Sequence, residues 1–293
     1  MTTTSTALST ILTHAERQLT EAGVASARAD AEQLAAHVLD VRRGQLRGNR
    51  ELDDQQVRQL THLIARRAER VPLQHLVGST GFRYLELLTG PGAFVPRPET
   101  EVVAGWLIEA LREHPAPLIV DLCAGPGTIA LAIANELPRA TVHAVESDLG
   151  ALEWARRNAD ARAAGGDRPI SLHLGDAGEA LSGLDGTVDA VISNPPYVAT
   201  HERENVDPEV RDHDPEIAVF AGEDGLNVVR LVESAAYRLL KPGGLVVVEH
   251  SDRQGASAPA VFADRWADVS DHRDLTGRDR FVTARRQPLE AGR

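Results

Sequence analysis

Apolar residues recur at helical spacing in the first quarter of the chain, three or four positions apart. The predicted helices are Ala7–Ala22, Ala27–Leu39 and a third that runs from Asp53 or Asp54 to about Glu69. Ser26 precedes the second helix, where a hydroxyl side chain caps the free N–H groups of a first turn. Pro72 ends the pattern, because proline cannot donate the hydrogen bond that a helix interior requires. The sequence therefore predicts a small helical domain over residues 1–75.

A different pattern follows. Segments at Leu76–Gly78, Phe82–Tyr84 and Leu85–Leu88 alternate between apolar and polar residues and predict a short β-hairpin. The next element, Phe94–Glu101, reads FVPRPETE. Its prolines predict an extended approach to a helix that begins at Glu99 or Thr100 and runs to about residue 113. We expect residues 76–98 to form a linker and lid between two domains.

From residue 118 onward, strand patterns alternate with helix patterns. The predicted strands are Leu118–Leu122, Thr141–Val145, Ile170–Leu174, Val188–Ser193, Leu245–Glu249, Trp266–Asp271 and Arg280–Ala284. The predicted helices are Thr128–Glu136, Leu149–Ala161 and Leu226–Leu240. Units of this kind form a mostly parallel sheet with helices on both faces. We predict a doubly wound α/β domain with a seven-stranded sheet over residues 99–293.

Composition narrows the class of protein. A chain of 293 residues with 42% hydrophobic and 25% charged residues suits a globular protein of two domains. The sequence has neither a secretory signal nor an apolar run long enough to span a membrane, and one cysteine excludes a disulfide framework, so we expect a cytoplasmic protein. The net charge of -12 argues against a protein that binds long nucleic acids.

A glycine-rich loop joins the first strand of this domain to its helix. Its sequence is Asp121-Leu122-Cys123-Ala124-Gly125-Pro126-Gly127-Thr128. Glycines here let the backbone bend tightly and approach a ligand closely. The spacing lacks the third glycine of a dinucleotide fingerprint, which disfavours a dehydrogenase. Cys123 stands where similar loops carry glycine, and we interpret it as a small buried residue rather than a nucleophile, because no base adjoins it.

Acidic residues lie at the ends of successive strands. Glu146 ends the second strand, where a carboxylate accepts hydrogen bonds from ribose hydroxyls. Asp176 follows the third strand and is placed to meet an adenine amino group. With Asp121, three acids would line one crevice. The alternative interpretation is that they only cap helices and turns.

The tetrapeptide Asn194-Pro195-Pro196-Tyr197 follows the buried strand Val188–Ser193. Two prolines cannot continue a sheet, since neither has an N–H to donate. The result is a stiff loop at the carboxyl end of a strand, where open α/β sheets bind ligands. Its carbonyl groups, its Asn amide and its Tyr ring suit a planar –NH2 group. An ordinary proline turn is the alternative.

Taken together, these residues resemble class I S-adenosylmethionine-dependent methyltransferases that act on amino groups. The element Phe94–Glu101 narrows the resemblance to the protein-(glutamine-N5) methyltransferases, specifically the release-factor enzymes of the HemK/PrmC type. Further segments similar to that family are Ala27–Glu32, Asp207–Val210, Ala221–Leu226 and Asp274–Arg280. The resemblance covers about residues 7–285 and does not rest on one motif alone.

The resemblance implies a mechanism and a set of roles. The methyl donor would be S-adenosylmethionine, and the acceptor would be the glutamine of a Gly-Gly-Gln loop in bacterial class I release factors. The amide of that glutamine would donate hydrogen bonds to the Asn194 side-chain oxygen and to the Pro195 carbonyl. Tyr197 would pack against the amide plane or the methyl donor.

The resemblance also implies a role for each site residue. The implied catalytic residues are Asn194, Pro195, Pro196 and Tyr197. The implied substrate-binding residues are Phe94, Arg97, Pro98, Asn194, Pro195 and Tyr197. The implied cofactor-binding residues are Asp121, Cys123, Ala124, Gly125, Gly127, Thr128, Glu146, Ser147, Asp176, Ala177 and Asn194.

Several questions stay open from the sequence. Arg97 has three interpretations: it binds a carboxylate, holds the lid, or forms an interdomain salt bridge. The same tetrapeptide occurs in DNA and RNA adenine-N6 methyltransferases, although the acidic charge and the helical N-terminal domain disfavour them. A ribosomal-protein glutamine methyltransferase and a catalytically inactive binding module are further alternatives. We expect a monomer without a metal site and without membrane or direct nucleic-acid partners.

Overall fold

The computed structural model describes residues 6–46 and 50–288. The chain divides into two compact units, Met1–Ser79 and Thr80–Arg293. The functional division into residues 1–75, 76–98 and 99–293, including the lid, stays a prediction. None of the helices in the described residues is long and apolar enough to cross a lipid bilayer.

The first unit is built from amphipathic helices. Its elements are β1 (Thr6–Ala7), α1 (Leu8–Glu21), α2 (Ala27–Val38), β2 (Glu51–Leu52), α3 (Asp54–Ala68) and α4 (Leu73–Val77). The predicted helices are present because their apolar stripes meet in one core, which contains Leu19, Leu34 and Leu60. Asp53 caps α3 by accepting the N–H groups of Gln55 and Gln56, each at 2.9 Å.

The cap predicted for α2 differs in its chemistry. Ser26 is the residue before the helix, but its hydroxyl makes no hydrogen bond to the first turn. It donates instead to the carboxylate of Asp30 at 2.7 Å. Asp30 is buried and also pairs with Arg67 of α3 at 2.8 Å. A buried carboxylate needs donors more than an exposed first turn does, and this need accounts for the change.

The predictions around two prolines were wrong. Leu76–Gly78 does not begin the hairpin, because Pro72 sets the backbone for the short helix α4 and Gly78 ends it in the left-handed conformation. Pro98 does not extend the approach to the next helix. It is the first residue of that helix, where a missing N–H costs nothing and a fixed φ favours helical backbone.

The second unit contains the predicted α/β sheet. Its elements are β3 (Ser79–Phe82, whose first residue lies in the first unit), β4 (Leu85–Leu88), α5 (Pro98–Ala110), β5 (Leu118–Leu122), α6 (Thr128–Glu136), β6 (Thr141–Glu146), α7 (Leu149–Ala164), β7 (Ser171–Leu174), β8 (Val188–Ser193), α8 (Pro208–His213), α9 (Asn227–Leu239), β9 (Leu240–Glu249), α10 (Ser257–Ala260), β10 (Trp266–Arg273) and β11 (Asp279–Arg286). Strands β3 and β4 form the hairpin.

In the part of the chain that the structure describes, the large sheet has seven strands in the order β10-β11-β9-β8-β5-β6-β7. Pairs among β9, β8, β5, β6 and β7 are parallel, whereas β11 is antiparallel to both of its neighbours. The prediction of a mostly parallel, doubly wound sheet is therefore confirmed. Buried clusters on its two faces explain why β5 and β8 are almost continuously apolar.

The register of the central strands determines where the loops lie. Leu122 at the end of β5 pairs with Val145 of β6 on one side and with Ser193 of β8 on the other. Glu146 pairs with Leu174 at the end of β7. The loops that follow these four strands consequently start at one level along the carboxyl edge of the sheet.

Candidate active site

A cavity of about 400 Å³ opens at this carboxyl edge. The loops after β5, β6, β7 and β8 line it, together with parts of residues 94–100 and of residues 206–219. Most of the predicted site residues contribute to its wall. They are Phe94, Arg97, Cys123, Ala124, Gly125, Thr128, Glu146, Ser147, Asp176, Ala177, Asn194, Pro195, Pro196 and Tyr197.

Gly125 and Gly127, the two glycines of the loop after β5, have different structural roles. Gly125 lines the cavity with φ +55°, and a Cβ atom there would meet nothing within 4 Å. Gly127 lies outside the cavity lining and precedes α6 with φ +83°. A Cβ atom on Gly127 would lie 3.3 Å from Leu131 and 3.4 Å from Ala155. Gly125 therefore leaves room for a ligand, whereas Gly127 allows α6 and α7 to approach.

Cys123 also has a left-handed backbone, with φ +60°. This conformation explains why glycine is favoured at the position. Burial raises the pKa of the Cys123 thiol to about 12, and the negative charge of Glu146 acts in the same direction. The thiol stays protonated at neutral pH, which supports a packing role rather than nucleophilic attack.

Glu146 fixes the shape of the glycine loop. Its Oε2 accepts the N–H of Gly125 at 2.8 Å, and its Oε1 accepts the N–H of Asp148 at 2.8 Å. Asp148 in turn caps α7 by accepting the N–H of Ala151 at 2.8 Å. Oε1 also accepts the Ser147 hydroxyl at 3.4 Å. Oε2 keeps a second lone pair, so Glu146 can still accept a hydrogen bond from a ligand in the cavity.

The three acids do not lie in one crevice as predicted. Asp121 is fully buried, and its Oδ2 accepts the N–H of Ala130 in α6 at 3.0 Å. Burial raises its pKa to about 8. Asp121 is the fourth residue of β5 rather than its last, so it supports α6 and does not line the cavity. Glu146 and Asp176 do line it.

Hydrogen bonds and burial hold the Asn-Pro-Pro-Tyr loop in place. The Ser193 hydroxyl donates to the Leu122 carbonyl at 2.7 Å, which joins the ends of β8 and β5. Pro195 and Pro196 are buried. The Asn194 Nδ2 atom donates to the Thr100 hydroxyl at 3.1 Å. Across residues 6–46 and 50–288, the Asn194 side-chain oxygen and the Pro195 carbonyl accept no hydrogen bond.

A close backbone contact positions Tyr197. Gly225 has φ +72°, and a Cβ atom there would lie 2.3 Å from the Tyr197 carbonyl oxygen. The Gln254 side chain donates to that carbonyl at 3.1 Å and to the Asp224 carbonyl at 3.3 Å. This packing gives a physical reason for a glycine within the segment Ala221–Leu226.

Arg97 forms an ion pair within the second unit. Its Nη2 lies 2.6 Å from Oδ2 of Asp214, and its guanidinium lies over the ring of Phe94 at 4.9 Å. Burial raises the pKa of Asp214 to about 6, although the charge of Arg97 lowers it. Both residues lie in the second unit, so this contact is not a salt bridge between the two units. It fits the interpretation in which Arg97 holds the lid segment, and that role stays a prediction. Pro98 begins α5 and does not line the cavity.

Four residues that contact or electrostatically influence the predicted site residues were not predicted from sequence: Thr100, Asp214, Glu249 and Arg280. The Tyr197 hydroxyl donates a hydrogen bond to Glu249 at 3.4 Å. Burial raises the pKa of both groups, and the positive charge of Arg280 opposes that rise. The signal for Thr100 was its place inside the FVPRPETE element, and for Arg280 its place in Asp274–Arg280. Glu249 and Asp214 carried none, because only tertiary packing brings them to the loop.

Two family models match the chain. One, described as "PrmC N-terminal domain", matches residues 10–78. The other, described as "Methyltransferase small domain", matches residues 85–210. The first model therefore lies within the first compact unit, and the second covers the part of the second unit up to residue 210.

Curated relatives match almost the whole chain. A protein of Streptomyces coelicolor named release factor glutamine methyltransferase is 52% identical over 93% of this chain and 95% of its own length. A protein of Mycolicibacterium smegmatis with the same name is 46% identical over 96% of this chain and 98% of its own. A Streptomyces pristinaespiralis protein, 42% identical over 92% of both chains, is named 4-amino-L-phenylalanine/4-methylamino-L-phenylalanine methyltransferase.

Solved structures share the fold. The 16S rRNA N2 G1207 methyltransferase of Thermus thermophilus, determined with S-adenosylmethionine and guanosine, matches with a TM-score of 0.52 at 19% identity. The match covers 71% of this chain and 50% of that one. At this identity the likeness establishes the fold of the α/β domain alone.

Proposed function

The chain belongs to the family of release factor glutamine methyltransferases, and from this membership we propose both its acceptor and its methyl donor. The acceptor is the side-chain amide nitrogen (N5) of the glutamine in the Gly-Gly-Gln loop of a bacterial class I peptide-chain release factor. The donor is S-adenosylmethionine. The observation that carries the proposal is the pair of acceptors at the cavity, the Asn194 side-chain oxygen and the Pro195 carbonyl.

The residues at the cavity fit the proposed donor. Gly125 leaves open space beside the loop, and the Glu146 carboxylate retains a lone pair on Oε2 for a ribose hydroxyl. Asp176 and Ala177 line the part of the cavity that follows β7, where an adenine would lie. When bound, S-adenosylmethionine supplies a methyl group on a positively charged sulfur. The carboxylates of Glu146 and Asp176 suit a cation better than a pyrophosphate.

The Asn-Pro-Pro-Tyr loop supplies the second half of the site. A primary amide is a weak nucleophile because its nitrogen lone pair is delocalised into the carbonyl. Two acceptors that hold both N–H groups fix the nitrogen and favour the positive charge that develops on it. Buried prolines keep these acceptors rigid, so little reorganisation is required during the reaction. A strong base is not required before transfer, since the proton becomes acidic as the new bond forms.

The remaining parts of the proposal concern the protein partner. We assign residues 1–75 to docking of the release factor away from its Gly-Gly-Gln loop, supported by a helical unit with its own core. Arg97 and Phe94 would shape the entrance for the glutamine. A release factor works on ribosomes, which supports a cytoplasmic location for this protein, and we propose that it acts as a monomer.

A labelling experiment tests the acceptor. The full chain is incubated with S-adenosylmethionine carrying a labelled methyl group and a purified class I release factor. We expect label on the release factor and none on its Gln→Ala loop variant. The Asn194→Ala variant of this chain should lose at least about 100-fold in kcat while its cofactor affinity changes little, as expected for a group that acts in the transition state. Equal labelling of both release-factor forms would overturn the proposal.

Parallel reactions separate the alternatives. A ribosomal-protein fraction and adenine-containing DNA test the two other acceptors that share the tetrapeptide. 4-Amino-L-phenylalanine tests an aromatic amine, the acceptor that the name of the Streptomyces pristinaespiralis relative gives. A larger kcat/KM for any of these than for the release factor would reassign the substrate.

A further inference from the structure

We propose that Gln254 is a positioning residue for methyl transfer, whose side-chain amide holds the Tyr197 carbonyl and thereby the acceptor pair of the Asn-Pro-Pro-Tyr loop. Gln254 lies between β9 and α10, outside that loop and outside the cavity lining. It is a buried polar residue, with 7% of its surface exposed. The inference deepens the proposed function and rests on it.

Both ends of the Gln254 amide bind backbone groups. Its Nε2 donates to the Tyr197 carbonyl at 3.1 Å and to the Asp224 carbonyl at 3.3 Å. Its Oε1 accepts the N–H of Ser251 at 3.0 Å. An –NH2 group has two protons, one for each carbonyl, whereas the amide oxygen has none. If the amide turned over, its oxygen would face two carbonyl oxygens, so these backbone partners fix its orientation.

The backbone around Gln254 is itself held. The Gln254 N–H donates to the Ser251 carbonyl at 2.8 Å, and the Gln254 carbonyl accepts the N–H of Ala258 in α10 at 2.9 Å. The N–H of His250, directly after β9, donates to the Arg280 carbonyl of β11 at 2.9 Å. The Gln254 side chain therefore extends from a fixed support beside the large sheet.

The two carbonyls that Gln254 binds lie at the two ends of one stretch of chain. Residues 198–224, here called the wall segment, begin directly after Tyr197 and end at Asp224. Backbone hydrogen bonds pair the two ends of the wall segment, for example from the Val198 N–H to the Val219 carbonyl at 3.0 Å. Gln254 extends this pairing by joining Tyr197 to Asp224. The wall segment contributes Val206, Val210 and Ile217 to the cavity wall.

The position of the Tyr197 carbonyl bears directly on the acceptor pair. The Pro195 carbonyl lies only two residues earlier in the chain. Neither Pro195 nor Pro196 has an N–H, so the loop depends on bonds to its carbonyl groups and side chains for its attachment. Pro196 also fixes its own φ and restricts the backbone of Pro195. The chain between the two carbonyls can therefore absorb little of a displacement at Tyr197, and loss of the Gln254 amide should move the acceptor pair.

The experiment measures kcat and KM with a release factor, and Kd for S-adenosylmethionine, at pH 5.5 and pH 8 in the wild type and in Gln254→Glu. The variant keeps the shape of the side chain, but its ionised form sets oxygen atoms against both carbonyls. We expect kcat at pH 8 to fall at least about tenfold, with Kd within about twofold of the wild type. Burial raises the pKa of the new carboxyl, and once protonated it can donate to one carbonyl. The ratio of variant to wild-type kcat should therefore be at least about fivefold higher at pH 5.5 than at pH 8.

Two further variants make the experiment specific. Gln254→Met has a similar size but forms none of the three hydrogen bonds, so its kcat should be low at both pH values. Gln287→Glu is the matched control. The exposed Gln287 donates to the Trp266 carbonyl at 3.1 Å, so the control loses a bond of the same kind away from the cavity. It should keep the wild-type kcat at both pH values.

The charged groups near position 254 are the same in the wild type and in these variants, so the ratio of kcat values reports the group at position 254. Glu223 is exposed, and the others are paired within the second unit. The pairs are His250 with Asp271, Asp252 with Arg278, Arg253 with Glu202, Asp224 with Arg230, and Asp279 with Arg273.

Two results would overturn the role of Gln254: a wild-type kcat in Gln254→Met, or a kcat ratio for Gln254→Glu that is the same at both pH values. Failure of the proposed function is recognised separately, because the wild type itself would then not label the release factor. In that case amide hydrogen exchange decides the inference without any substrate. The N–H groups of Val198 and Ala221, which pair the ends of the wall segment, should exchange at least about tenfold faster at pH 8 in Gln254→Glu than in the wild type. Equal rates would reject the inference.

Discussion

The Arg97 guanidinium lies 2.6 Å from the carboxylate of Asp214 and joins the segment before α5 to the segment after α8. Both segments contribute residues to the cavity wall. The Asp214 side chain is completely buried, whereas that of Arg97 is 29% exposed. Removal of the arginine would therefore leave a carboxyl group buried without its cation, which is costly when that group is ionised.

The first prediction is that Arg97→Ala destabilises the protein in a pH-dependent way. The pKa of Asp214 is about 6, above its ordinary value of 3.8, so this group favours the fold at low pH and its contribution is lost as the pH rises through 6. Without Arg97 the pKa rises further and the loss is larger. We expect a decrease of about 1–3 kcal/mol in the free energy of unfolding at pH 8 and little at pH 5, measured by urea denaturation.

Two control variants make this prediction specific. Arg97→Ala combined with Asp214→Asn removes the buried charge and should recover much of the loss at pH 8. Arg112→Ala breaks an exposed pair with Glu109 and should leave the free energy of unfolding nearly unchanged at either pH. A loss in Arg97→Ala that is the same at pH 5 and pH 8 would contradict the assignment to Asp214.

The second prediction concerns Glu146 and the cofactor. Glu146→Gln places an –NH2 group where the carboxylate accepts backbone N–H groups of Gly125 and Asp148. The loop must shift, and the ribose loses a charged acceptor. We expect the Kd for S-adenosylmethionine to rise about 10- to 100-fold in isothermal titration calorimetry. Glu153→Gln, on the exposed face of α7, is the matched control and should leave Kd unchanged.

The third prediction compares two glycines with nearly the same backbone. Gly225 has φ +72° and Gly186 has φ +70°, but only Gly225 would place a Cβ against the Tyr197 carbonyl, at 2.3 Å. Alanine at Gly186 meets no atom within 4 Å and should cost about 1–2 kcal/mol of stability without affecting kcat. Alanine at Gly225 should cost more and lower kcat by displacing the loop. Equal kcat values in the two variants would show that this contact does not position Tyr197.

How well each feature could be predicted from sequence depends on how far apart along the chain the interacting residues lie. The strand ending at Ser193 and the helix Thr128–Glu136 were located from sequence because their apolar pattern is local and their burial is nearly complete. The two prolines that follow this strand predicted the Asn-Pro-Pro-Tyr loop, and the family resemblance implied its role. What the sequence could not supply is pairing over long distances along the chain, such as Arg97 with Asp214 or Tyr197 with Glu249.

Asp121 illustrates the same limit at close range. The predicted strand Leu118–Leu122 is the observed β5, and it already contained Asp121. The expected position of the Asp121 carboxylate in the cavity was nevertheless wrong, because this side chain accepts the N–H of Ala130 in α6. The sequence located the strand correctly but could not show which neighbouring element its fourth side chain would contact.

The last prediction is that Cys123→Gly yields an active protein that is at least as stable as the wild type. Cys123 has φ +60°, a conformation that costs a side-chain-bearing residue about 1–2 kcal/mol and glycine nothing. The greater freedom of glycine in the unfolded chain offsets part of this gain, so we expect a rise of up to about 1 kcal/mol in urea denaturation. Cys123→Ala keeps the strained backbone and should not be more stable than the wild type.

The reactivity of the Cys123 thiol is a separate test of its role. Cys123 is the single cysteine of the chain and, with a pKa of about 12, its thiol should react slowly with a disulfide reagent at pH 8. Loss of methyl transfer in Cys123→Gly, with cofactor binding intact, would instead give the thiol a part in the reaction.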